Sequence, residues 1–300
     1  MPKPAARTPP EPIDVSARWL LTALALTLLA AALCGYAALC LLFYQGQWQM
    51  LFHPSRSISA TPGSAGLPFE DVHFDVSDAG LPQLDGWWIP ASPQAKYVTA
   101  TVLYLHDARG SLSDCVPALA TLHSAGINVF AFDYRGFGRS AGSHPTERLA
   151  TEDAIAAWTY LTDTRRIPPR DLIVLGDGVG ATFAAHLAAH FAPAGAVLED
   201  PNPSARQIFE SDPRSGLLPL WLLQKEHLDP TSDIARTHTP LLFLDAHGDT
   251  PRTRALFAAA PYPKQYFDLR GLPETGPMSA PTDLTNALRR FLDDTLTTSR

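Results

Sequence analysis

Two segments have small residues spaced for a nucleophile held at a sharp strand-to-helix turn, the geometry that exposes an attacking side chain at a helix N-terminus. Gly138-Arg139-Ser140-Ala141-Gly142 satisfies G-x-S-x-G literally. Its context is wrong for that chemistry. The strand ending at Phe132 stops several residues earlier, and Ser143, His144 and Pro145 intervene before a helix can start. Ser140 is therefore read as a loop hydroxyl. The second segment, Asp171 to His190 (DLIVLGDGVGATFAAHLAAH), has the required order: a buried strand stops at Gly176 and a helix begins near Gly180. Its central residue is Gly178, which tolerates a strained turn and has no group with which to attack.

Other groups suited to chemistry fall near the ends of predicted strands. His106, Asp107, Asp245, His247, Asp249 and Glu274 include nitrogen and oxygen donors for a divalent ion. The plainer reading is that they are solvated loop residues, and no metal or cofactor is assigned. All ten histidines lie at or before His247, so no imidazole follows Asp249.

The elements that must position these groups alternate. Val72 to Val76 and Leu84 to Ile89 suit an antiparallel pair, and Val98 to Leu105 reads as a buried strand. Helical patterns at Leu112–Ser124, Thr146–Leu161 and Ala181–Ala192 then alternate with strands at Asn128–Phe132, Leu172–Leu175 and Ala196–Leu198. Strands at Leu241–Leu244 and Gln265–Leu269 and helices at Arg252–Ala260 and Thr285–Leu296 complete the series. Strand and helix in turn predict an α/β fold with a mostly parallel sheet covered on both faces.

The chain has 300 residues, 46% of them hydrophobic and 18% charged, which excludes disordered, collagenous and disulfide-scaffold classes. A net charge of −7 without a Lys/Arg cluster leaves no footprint for nucleic acid. Cys34 and Cys40 lie in an apolar run, and only Cys115 lies outside it, so the globular part has no internal disulfide. Leu20 to Phe43 is a run of 24 residues without a charge, about 36 Å as a helix and enough to cross a hydrocarbon core. A signal-peptide apolar region is shorter and a core helix keeps a polar face, so the run is read as a retained anchor. Lys3, Arg7 and Arg18 precede it and Arg56 alone follows closely, which places the N-terminus inside and the bulk of the chain on the non-cytoplasmic side. The expected organisation is a flexible tail over 1–18, an anchor over 19–44, a juxtamembrane connection over 45–70, and one domain over 71–300.

LFHPSR (Leu51–Arg56), GWWIP (Gly86–Pro90), YLHDARG (Tyr104–Gly110) and FDYRGFGRSAGSH (Phe132–His144) resemble the membrane-anchored branch of the alpha/beta-hydrolase superfamily, whose members include serine esterases and aminopeptidase-like hydrolases. That resemblance implies an alpha/beta-hydrolase fold and a Ser, Asp, His triad in chain order beside an oxyanion hole. Gly178 stands at the family's nucleophile position and Asp249 at its acid. Glu274 stands in place of the histidine, and Asp107 and Val179 fall in the oxyanion region. A carboxylate at Asp107 opposes a developing oxyanion unless it turns away. Asp177 as nucleophile, as in the dehalogenase relatives, requires the turn to slip by one residue, which puts Leu175 and Val179 where small side chains are needed. The resemblance also places a small cap at about 200–239, and the apolar Ser215–Gln224 segment is expected to pack beneath it, with membrane contact through Trp221 as the alternative.

The expected function is that of a membrane-tethered alpha/beta-hydrolase-like pseudoenzyme, a binding or scaffolding domain for an unknown small molecule or protein. The alternative is an active hydrolase of ester, thioester or amide bonds by a non-standard mechanism, with His106, Asp245 and His247 as its possible site.

Overall fold

The computed structural model describes residues 16–76, 83–245, 250–268 and 282–298. The chain divides into two compact units, 1–46 and 47–300.

Helix α1 (Ala17–Leu51) runs through the first unit. Leucines at 20, 21, 24, 26, 28, 29, 33, 41 and 42 are all more than half exposed, so the helix presents apolar side chains on every face. Among the described residues it is the one helix long and apolar enough to cross a membrane. The helix continues beyond residue 44, and its last residues, from Gln47 to Leu51, belong to the second unit. Gln47 Nε2 donates to Leu223 O at 2.7 Å, its Oε1 accepts from Lys225 N at 2.9 Å, and Leu51 is buried.

The second unit is built on an eight-stranded sheet: β1 (Glu70–Phe74), β2 (Leu84–Ile89), β3 (Tyr97–Leu105), β4 (Ile127–Asp133), β5 (Leu172–Asp177), β6 (Gly195–Glu199), β7 (Leu241–Asp245) and β8 (Lys264–Asp268). Their order is β8-β7-β6-β5-β3-β4-β2-β1. β2 pairs antiparallel with both β1 and β4, and the other neighbours are parallel. Every residue of β4, β6 and β7 is buried, as expected for near-continuous apolar strands covered on both faces.

Alternation along the strands assigns the helices. Val102, Tyr104, Ile173 and Leu175 pack in one cluster with Leu119 and Leu122 of α2 (Val116–Ser124) and with Phe291 and Leu292 of α9 (Thr282–Thr298). The opposite face is covered through α3 (Glu147–Thr159) and α4 (Gly180–Phe191), which pack on one another. Thr146 caps α3 by accepting from Leu149 N at 3.2 Å.

Between β6 and β7 the chain forms α5 (Ala205–Ser211), a short α6 (Leu220–Leu223) and α7 (Thr231–Arg236); α8 (Pro251–Ala259) follows β7. The apolar 215–224 segment does not pack inward as its sequence predicts. Leu220 is buried, but Leu217, Trp221 and Leu222 are 64%, 82% and 63% exposed. A four-residue helix has too few turns to bury all sides of such a sequence.

Candidate functional site

The turn after β5 has the backbone of a nucleophile elbow. Gly178 alone in it takes a left-handed conformation, with φ of 57°. Its neighbours are glycine by close approach: a Cβ on Gly176 falls 2.2 Å from Gly180 O, and one on Gly180 falls 2.0 Å from Leu105 O. The helix α4 starts directly at Gly180. Because the strained residue is 178, the turn has not slipped to place Asp177 at its apex.

Asp107, just beyond β3, occupies the space in front of this apex. Its Oδ1 accepts hydrogen bonds from Val179 N and from Asn202 Nδ2, both at 2.9 Å. A Cβ on Gly178 falls 2.2 Å from that same Oδ1. The Asp107 carboxylate therefore fills the volume a nucleophile side chain needs and takes the backbone N–H that follows the apex, the donor expected to meet an oxyanion. The side chain has not turned away.

Burial raises the pKa of Asp177 to about 8, and the nearby carboxylates of Asp107 and Asp200 push in the same direction. A carboxyl that holds its proton near neutrality is a poor nucleophile, a second reason against Asp177 in that role.

Ser140 is a structural hydroxyl. It is 1% exposed, donates to Asp133 O at 2.5 Å and accepts from Asp85 N at 3.0 Å. Arg56 fixes the same loop, with Nη1 donating to Ser140 O at 2.5 Å and Nη2 to Gly142 O.

His106 is fully buried, its ring 4.6 Å from that of Tyr134 and 5.0 Å from that of Phe137. Its Nδ1 lies 2.6 Å from Asp107 O, and its Nε2 lies 3.5 Å from Asp133 Oδ1. This second contact is not an ion pair. Burial lowers the pKa of His106 to about 4 and raises that of Asp133 to about 7, so the imidazole is neutral wherever the acid is charged.

Asp245 closes β7 and organises the return of the chain. Its Oδ2 accepts from Thr250 N and Tyr266 OH, each at 2.8 Å. The structure does not bring His106 and Asp245 together: their strands are three neighbours apart in the sheet, a separation of about 14 Å at the usual strand spacing. His247, Asp249 and Glu274 lie outside the described residues.

No motif marks Asn202 in the sequence, although its place just after β6, at the carboxyl edge of the sheet, is the region where sites on such folds form.

A doubly covered, mostly parallel sheet with an antiparallel entry and a glycine elbow between β5 and α4 defines an alpha/beta hydrolase. Residues 97–230 match the family described as "Serine aminopeptidase, S33". The chain is 30% identical over 254 residues to an uncharacterized protein of Mycobacterium tuberculosis, a match covering 83% of this chain and 88% of that protein. It is 32% identical over 122 residues to human alpha/beta hydrolase domain-containing protein 17B, covering 40% of this chain and 41% of the relative. Among solved structures, an esterase of Pyrococcus furiosus superposes with a TM-score of 0.64 at 19% identity, over 81% of this chain and 99% of that one. The chain belongs to the alpha/beta-hydrolase superfamily.

Proposed function

We propose that this chain is a membrane-tethered, non-catalytic member of the superfamily, whose hydrolase-fold domain binds a small molecule or a protein rather than turning one over. The observation that carries the reading is the position of Asp107. Its carboxylate accepts the Val179 N–H and stands against Gly178, so the elbow offers neither a hydroxyl nor a free oxyanion donor. Losing a nucleophile or its base removes several orders of magnitude from acyl transfer, and here both family positions lack the group. The alternative, a metal-assisted hydrolase using His106, Asp245 and His247, draws no support from the distance between the first two.

Purified full-length protein incubated with short-chain p-nitrophenyl esters tests the proposal. It predicts no turnover above buffer. Turnover abolished by a chelator and by Asp245→Asn supports the metal-assisted alternative instead. The apolar length of α1 supports its role as the tether, and the excess of Lys3, Arg7 and Arg18 before it supports a non-cytoplasmic domain.

A further inference from the structure

On the exposed side of α4, the sequence Ala-Ala-His-Leu-Ala-Ala-His sets His186 and His190 one helical turn apart. Their ring centroids are 4.4 Å apart. Helix α7 brings Asp233 against both, with Oδ2 at 3.2 Å from His186 Nδ1 and Oδ1 at 3.7 Å from His190 Nε2. One ligand atom from each of the three lies within 4.8 Å of the other two.

We propose that His186, His190 and Asp233 form a binding site for a divalent ion of the zinc class, separate from the elbow, that clamps α7 onto α4. Two imidazole nitrogens and one carboxylate oxygen suit Zn²⁺ or its first-row neighbours, whereas Mg²⁺ and Ca²⁺ prefer oxygen alone. Two histidines at i and i+4 on one helix face are a common way to present two such ligands. Donors bonded to one tetrahedral zinc at about 2.0–2.1 Å are about 3.3 Å apart. The His186–Asp233 contact of 3.2 Å already has this separation. The remaining donors, within 4.8 Å of one another, close by up to about 1.5 Å through side-chain rotation, which the 44% exposure of the His190 side chain leaves free.

Arg236 Nη2 donates to Asp233 Oδ1 at 2.7 Å and balances its charge. The ion takes over that role, and a proton carried on either ligating nitrogen is released to solvent. Zinc needs a fourth ligand, which water can supply at this exposed position. The consequence is mechanical. α7 is the last helix of the segment between β6 and β7, and α4 is the helix that the elbow opens, so the ion fixes that segment to the sheet scaffold.

The test uses the full-length chain in detergent, stripped with a chelator and titrated with Zn²⁺ alone against a chromophoric competitor. One equivalent should bind and raise Tm. His190→Ala and Asp233→Asn should each weaken binding at least tenfold, and Arg236→Gln should tighten it by removing a competing cation. Bound Co²⁺ should show visible d–d absorption that His186→Ala abolishes. Unchanged Tm values of the metal-free variants establish that they fold. If one of them does not, the Arg236→Gln result decides, since a purely structural His–Asp–Arg network gives that variant no gain in zinc affinity. No zinc uptake, or uptake that survives His186→Ala combined with His190→Ala, overturns the proposal.

Discussion

The Asp107 carboxylate stands where a side chain on Gly178 projects: a Cβ built at residue 178 lies 2.2 Å from Oδ1 and 3.0 Å from Asp107 Cβ. The two residues are therefore coupled, and neither can be changed to the family's residue in isolation without a cost.

Gly178→Ser alone should destabilise the fold by about 1–3 kcal/mol, because the new atoms displace a hydrogen-bonded carboxylate and the residue is held at positive φ. It should give no esterase. Adding Asp107→Gly removes the overlap, and a double-mutant cycle in urea should return a favourable coupling of about 1–2 kcal/mol. Hydrolysis should emerge only when Glu274→His is added as well, since triad members act as a unit. Additive stability effects would show that Asp107 moves aside freely.

Stability should fall as pH rises from 6 to 8. Asp177 and Asp133 have folded pKa values raised to about 8 and about 7. Each favours the fold fully while both states are protonated, and that contribution is lost as pH climbs from the unfolded value through the folded one. His106 has the opposite sign: its lowered value of about 4 makes stability rise with pH only up to the ordinary histidine range. Near neutrality the acids decide, at on the order of 1 kcal/mol per pH unit for each group still protonated only in the fold. Asp177→Asn should flatten the profile, and Tm measured at pH 6 and 8.5 for both proteins checks this. An equal decline in the variant assigns the effect elsewhere.

The sequence showed the sheet, its antiparallel entry and the empty elbow because these rest on local patterns: apolar runs bounded by turns, and glycines at 176, 178 and 180. It did not show where Asp107 points. That orientation depends on Asn202, 95 residues away in the chain, donating to the same oxygen, and no spacing rule links the two. It also misled on Trp221, since apolar density alone does not distinguish a packed segment from an exposed one. The His186–His190 spacing was visible, but Asp233 reaches it only through the path of the chain between β6 and β7.

Leu217, Trp221 and Leu222 are large apolar side chains left exposed on one short segment. A domain beginning at residue 45 should therefore bind liposomes, and Trp221→Ala with Leu217→Ser should weaken that binding, each large side chain contributing up to about 1.5–3 kcal/mol when buried. Absence of binding by the unmodified domain would return the segment to an ordinary solvent-facing role.

Protease added outside intact cells or spheroplasts should digest the domain and spare the tail that precedes α1. Protection of the domain with exposure of the tail would reverse the orientation inferred from Lys3, Arg7 and Arg18.

A serine-reactive fluorophosphonate reports most directly on whether the elbow is silent. Full-length protein should remain unlabelled at concentrations that label an active serine esterase completely, because the apex is Gly178 and Asp107 holds the Val179 N–H. Labelling of the unmodified protein that disappears on Ser140→Ala would contradict this, and would mean that the buried loop hydroxyl is the nucleophile after all.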